Sequence, residues 1–114
     1  MKLLVVDEEP DVIKVVRATF RAQEPGWEVL GAAGGEEALD LIGREQPSLV
    51  LLDVGLPGMD GFTVLKKIRL FSDVPVIMLT VHDDEVSKVT ALELGADDYI
   101  TKPFGALELV ARAR

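Results

Sequence analysis

The sequence contains no cysteine, which excludes a disulfide framework and any thiolate metal centre. No apolar run approaches the roughly 18 residues that a membrane-spanning helix needs. Met1-Lys2 leads straight into Leu3 to Val6, without the pattern of a signal peptide. The simplest reading is a soluble cytoplasmic protein. Base is also in short supply: 12 Lys and Arg stand against 20 Asp and Glu, a net charge of −8. DNA affinity rests on neutralising phosphates, so this balance argues against direct nucleic-acid contact by the chain. Histidine occurs once, as His82; it falls in a loop and is assigned no role. Internal repeats, low-complexity tracts and linkers are absent too.

What the chain does have is 48% hydrophobic residues in 114 positions, enough for one packed domain over residues 1–114 and too short for two. Its centre is Leu49 to Gly61, LVLLDVGLPGMDG. Leu49 to Leu52 is a short continuous apolar run, as in a strand buried on both faces of a parallel sheet. It delivers Asp53 to the strand's C-terminal end. Gly55, Pro57, Gly58 and Gly61 then form loop and turn, with a helical pattern from Phe62.

Taken in order, Leu3 to Val6 is an apolar strand followed by Asp7-Glu8-Glu9-Pro10. Pro10 suits a helix's first turn; Val12, Ile13, Val16 and Phe20 share its inner face, with Lys14, Arg17 and Arg21 outward. A strand over Trp27 to Leu30 follows Pro25-Gly26. Gly34-Gly35 opens a helix with Ala38, Leu41, Ile42 and Glu45 on one face. Phe62, Leu65 and Ile68 mark a third helix, and Val76 to Leu79 a strand ending at Thr80. The fourth helix, near Asp84 to Leu94, carries a thin apolar stripe (Val86, Val89, Leu92), and Gly95 is its C′ cap. Tyr99-Ile100 is a short strand before Lys102-Pro103. A last helix begins near Phe104, with Leu107, Val110, Ala111 and Arg114 helix-periodic and no stop signal. The natural chain is therefore expected to continue. Five β-α units in succession imply a parallel sheet wound right-handedly.

Four strands thus end in functional groups on one rim: Asp7-Glu8, Asp53, Thr80 and Lys102. In open α/β sheets, ligand chemistry collects outside the strands' carboxyl ends. Carboxylates about 4 Å apart repel by roughly 4 kcal/mol at an effective dielectric of 20, so such a cluster shifts its pKa values or takes a cation. Oxygen-only ligands favour Mg²⁺. Phosphoryl transfer needs positioning, charge neutralisation and an in-line nucleophile; Asp53 can be that nucleophile, with Mg²⁺ and Lys102 on the phosphoryl oxygens and Thr80 as a donor.

LLVVDEE, LLDVGLPGMDG, VIMLT and GADDYITKPF together resemble the receiver domain of two-component response regulators, over the whole chain. The resemblance implies a flavodoxin-like (βα)5 three-layer sandwich with strand order 2-1-3-4-5. It implies that Asp53 accepts phosphate from a histidine kinase, that Asp7, Glu8, Asp53 and the Gly55 carbonyl surround Mg²⁺, and that Lys102 contacts the phosphate. Thr80 and Tyr99 match the switch pair, and Lys102-Pro103 a bond that is cis in the family. Such a protein is not an enzyme beyond its own phosphoryl transfer and dephosphorylation. Three positions depart from the family pattern. Glu8 replaces the commoner Asp, and its longer arm favours contact through water. Gly55 lacks the usual side chain, which bears on dephosphorylation rate. Val81 replaces Ala or Gly and narrows access to Asp53 or hinders Thr80.

GADDYITKPF followed by ELVARAR resembles the OmpR/PhoB subfamily. That resemblance implies homodimerisation through the fourth helix, fifth strand and fifth helix, and a DNA-binding output domain beyond Arg114 that serves transcription regulation. Lys88, Asp97, Asp98, Glu108, Arg112 and Arg114 lie on this face, with charges suited to ion pairs across a two-fold axis. Other readings fare less well. A flavodoxin-like cofactor binder conflicts with Asp7-Glu8-Glu9, which repels phosphate, and a Mg²⁺-dependent phosphatase lacks room for a substrate cap. The main alternative is a degenerate receiver that binds partners without phosphorylation.

Overall fold

The computed structural model describes residues 1–81 and 85–113. Five strands and five helices alternate: β1 Lys2–Val6, α1 Pro10–Gln23, β2 Glu28–Ala32, α2 Gly35–Glu45, β3 Leu49–Asp53, α3 Gly61–Arg69, β4 Val76–Thr80, α4 Glu85–Glu93, β5 Asp98–Thr101 and α5 Ala106–Ala113. All strand pairs are parallel and the order is β2-β1-β3-β4-β5. This is the flavodoxin-like sandwich expected.

Strand alternation sorts the core into two layers. Leu4, Val6, Val50, Leu52, Val76 and Met78 pack on one side with α2, α3 and α4. Leu3, Val5, Leu51, Ile77, Leu79 and Ile100 pack on the other with α1 and α5. Every residue of β3 and β4 is buried, which is why those runs are apolar at both parities. Full burial of such side chains is worth about 1.5–3 kcal/mol each.

The helices show where apolar residues alone mislead. The α4 stripe faces solvent: Val86, Val89 and Leu92 are 75%, 43% and 53% exposed, and Ala91 is the buried residue of that helix. A small side chain lets α4 lie close to the sheet, and the larger ones turn away. In α5, Leu107 is 73% exposed while Leu109 and Val110 are buried, and the helix starts at Ala106 rather than Phe104. Arg17 does not project freely from α1; it is half-buried, and its Nη2 donates to Val29 O at 3.2 Å on the open edge of β2. β2 begins one residue late and extends to Ala32. Trp27 instead donates its N–H to Glu24 O in the turn, at 3.0 Å. Its indole meets the Phe20 ring edge-on with centroids 5.5 Å apart. The sequence-predicted start of α4 at Asp84, His82 and Arg114 lie outside the described residues.

Two turns matter for the site. Asp60 caps α3, its Oδ1 accepting the Thr63 N–H at 2.9 Å. Gly61, the first residue of α3, donates its N–H to Val54 O at 2.8 Å. A Cβ at Gly61 would fall onto the Asp53 carbonyl oxygen, so only glycine lets α3 start against the end of β3.

Candidate functional site

The strand order makes β1, β3 and β4 neighbours, so their C-terminal ends set Asp7, Asp53 and Thr80 side by side; Lys102 follows β5 at the next position. Asp7 and Thr80 are buried, and Asp53 is only 8% exposed. Lys102 reaches across the rim. Its Nζ lies 2.6 Å from Asp7 Oδ2 and 3.2 Å from Asp53 Oδ1. The lysine is therefore bound more closely to Asp7 than to Asp53. The other Asp7 oxygen, Oδ1, accepts the Glu9 N–H at 3.0 Å.

Burial pulls the Lys102 pKa down. The hydrogen bond to Asp7 and the charges of Asp53 and Asp7 more than offset this, and the net shift is upward. The ammonium is thus held charged at every pH near neutrality. Two carboxylates against one ammonium leave the rim one negative charge in excess, in a place largely shut off from water. That imbalance calls for a further cation.

The donor set suits Mg²⁺, a hard cation that takes one or two carboxylates and keeps several waters. Asp7 and Asp53 supply the carboxylates. Gly55 borders the same spot: a Cβ built on it would stand 3.8 Å from Asp53 Oδ2, so its missing side chain leaves space beside that oxygen. Glu8 is exposed. Among the described residues, no three His, Asp or Glu side chains gather closely enough to form a metal cluster. Any cation here would thus draw on two carboxylates, with backbone and water completing its shell.

The remaining candidates separate by sheet face. Thr80 and Met78 share the face covered by α4, and Met78 pairs in register with Tyr99, Thr80 with Thr101. Thr80 and Tyr99 are thereby diagonal neighbours on that face, and half-buried Tyr99 packs against its core. Thr80 O accepts the Lys102 N–H at 2.6 Å, which joins the end of β4 to the residue that grips the acids. The Lys102-Pro103 bond is cis. Val81 is exposed on the wall of a groove of about 420 Å³, with Val12, Val15 and Phe104, next to Lys102.

On the α4-β5-α5 face, the described charged residues expected to pair between subunits have partners within the chain. Arg112 Nη1 donates to both oxygens of Asp98 at 2.9 Å, with Glu108 3.5 Å from its Nε. The Asp98 hydrogen bond and charge raise the Arg112 pKa. Asp97 binds Arg69 at 3.1 Å, and Lys88 Nζ stands 6.0 Å from the Tyr99 ring centroid.

The family model for the response regulator receiver domain matches residues 3–114. The chain belongs to that family. Solved relatives agree along its length. A response regulator from Chloroflexus aurantiacus J-10-fl is 41% identical, with a TM-score of 0.89, over 98% of this chain and 93% of that one. The BeF3-activated N-terminal receiver domain of Klebsiella pneumoniae RstA is 35% identical with a TM-score of 0.92, over 100% of this receiver and 96% of that chain. NtrX from Brucella abortus, solved with ADP, is 34% identical with a TM-score of 0.88; the match covers 98% of this receiver and 26% of NtrX.

The rim acids, Thr80 and Lys102 of this receiver were legible in the sequence because four strands end in functional groups on one rim. Three other residues were missed. Asp60 was legible as a cap, an Asp just before a helix-periodic stretch. The need for glycine at 61 depends on a close approach that a sequence does not display. Arg69 reads as an ordinary base in a last helical turn, and its five hydrogen bonds are a tertiary fact.

Proposed function

We propose that this receiver is a phosphorylation-activated switch whose phosphoacceptor is Asp53, and that a histidine kinase is the donor. The supporting observation is the placement of Asp53 at the end of a buried strand, beside Asp7 and within 3.2 Å of the Lys102 ammonium. An Asp53 oxygen attacks the phosphorus of a phosphohistidine, the P–N bond breaks, and the imidazole leaves with the electron pair. Lys102 neutralises charge on the phosphoryl oxygens. Asp7, Asp53 and the Gly55 carbonyl, with Glu8 through water, would hold Mg²⁺, which would supply further charge neutralisation. Beyond this transfer and the loss of its own phosphate, the protein catalyses nothing.

A phosphoryl group adds about −1.5 to −2 charge. The Thr80 hydroxyl turns toward it, Tyr99 follows on the same face of the sheet, and the α4-β5-α5 surface changes its preference for a second copy. The OmpR/PhoB likeness, a cytoplasmic location and a DNA-binding output domain for transcription regulation complete this reading. Dimers then form through α4, β5 and α5.

Intact mass after incubation with acetyl phosphate tests it, with and without Mg²⁺, on wild type and Asp53→Asn. One phosphate adduct is expected on the wild type, only with Mg²⁺, and none on Asp53→Asn. An unlabelled but folded wild type would instead favour the phosphorylation-independent binding module, and Glu8→Asp and Val81→Ala would then be the proteins to label next.

A further inference from the structure

The guanidinium of Arg69, on α3, spends all five of its N–H donors. Nε donates to Gly95 O at 3.0 Å, and Nη2 to the same oxygen at 2.8 Å and to Asp97 Oδ2 at 3.1 Å. Nη1 donates to Ser72 O at 3.2 Å and Val74 O at 2.8 Å. Asp97 Oδ2 also accepts the Val76 N–H at 2.8 Å. One side chain thus ties the end of α3, the loop into β4 and the loop from α4 to β5, at the N-terminal ends of the strands, away from Asp53. Gly95 fits this grip alone among residue types: its φ is +103°, and a Cβ there would stand 3.0 Å from Arg69 Nε.

The grip falls on a helix whose contacts with the core gather at one end. Within α4 and its C-terminal turn, Ala91, Leu94 and Ala96 join the core, and all lie in the C-terminal half. Val86, in the first turn, is the most exposed apolar residue of the helix, and Val89 and Leu92 also face solvent. A nine-residue helix is about 14 Å long. It is clamped at the Gly95 end, while the residues that join the core stand away from its first turn, the end that follows Thr80.

We propose that Arg69 is a positioning residue that fixes the C-terminal end of α4, so that the helix swings about Gly95 when the receiver switches. The swing rests on the phosphorylation reading above; the clamp does not. Movement at Thr80 then becomes displacement of the N-terminal half of α4, with the Gly95 end stationary.

Hydrogen–deuterium exchange on the whole chain tests both parts, with and without beryllofluoride and Mg²⁺, on wild type, Arg69→Met, Arg69→Lys and Gly95→Ala. In the wild type, amides of 94–97 exchange at least about tenfold more slowly than those of 86–90, as expected when stability is local. Beryllofluoride alters 86–90 and leaves 94–97 unchanged. In Arg69→Met and Gly95→Ala the protection of 94–97 falls about tenfold relative to β1 and β3 amides, and the response spreads along the helix; Arg69→Lys restores part of it. Acetyl phosphate labels Asp53 in Arg69→Met at the wild-type rate, because the clamp is remote from the acids.

Protection of 94–97 that survives both Arg69→Met and Gly95→Ala overturns the clamp. A wild-type response equal at both ends of α4, or none at all, overturns the swing. The mass adduct separates the two failures. An adduct without a helix response sinks only the swing, and the absence of an adduct sinks the phosphorylation reading with it.

Discussion

Lys102 has two acids within reach and one charge to offer. Removing it leaves Asp7, which is fully buried, and Asp53 facing each other. Lys102→Met is expected to destabilise the fold at pH 7 by roughly 2–3 kcal/mol, under the about 3–5 kcal/mol of a fully buried pair because the ammonium keeps some exposure. The pH dependence follows from the upward shift of the Lys102 pKa. A raised folded-state pKa contributes stability that is fully present below the unfolded value, about 10.4 for Lys, and is lost as pH rises through the folded value. Urea unfolding should show the wild-type advantage constant from pH 7 to about 10 and shrinking above that. A difference that already narrowed between pH 7 and 9 would mean that the lysine does not carry it. The residue identities were legible in the sequence, because Asp7 and Asp53 each end a dry strand and Lys102 follows the last strand on the same rim. The preference of Lys102 for Asp7 over Asp53 was not, since it depends on how a flexible side chain spans three strand ends.

Strands proved more legible than helix faces. A buried parallel strand is apolar at both parities, so Leu49 to Leu52 and Val76 to Leu79 announce themselves whichever way they face. A short helix with few large apolar residues does not, because its one small buried residue, Ala91 in α4, carries less signal than three exposed larger ones. In α5 two adjacent residues, Leu109 and Val110, do the packing while Leu107 looks equally suitable and faces water. The consequence is measurable. Val86→Ser and Leu92→Ser are expected to change stability by less than about 0.5 kcal/mol, whereas Leu109→Ala should cost about 2–5 kcal/mol. Urea denaturation of the three variants against wild type checks this. A loss above about 1 kcal/mol at Val86 or Leu92 would place their side chains in the core after all.

For the whole molecule, the sheet separates the proposed phosphoacceptor from the proposed output surface. Asp53 shares strand parity with Leu49 and Leu51, which pack toward α1 and α5, while Thr80 and Tyr99 lie on the face that α4 covers. In the proposed switch, Thr80 and Tyr99 would carry a change at the rim to the outside of α4. That surface exposes Val86, Val89 and Leu92 along α4, and Asp98 and Asp97 are already paired inside the chain with Arg112 and Arg69. Pairs satisfied within one subunit gain little from a second, and exposed pairs are worth only about 0–1 kcal/mol in any case. Apolar burial gains about 25 cal/mol per Å², so in the proposed dimer the α4 stripe is the larger source of association free energy. Leu92→Glu is accordingly expected to take up phosphate at the wild-type rate, yet to dimerise at least about tenfold more weakly, as a buried unpaired charge must be desolvated. Arg112→Ala should weaken the dimer by less, and added salt should change the wild-type dimer little because its core is not ionic. Sedimentation velocity on the phosphorylated proteins reads all three. If Arg112→Ala disrupts the dimer and Leu92→Glu does not, the ion pairs exchange partners between subunits, and the charges expected from the sequence hold the dimer together.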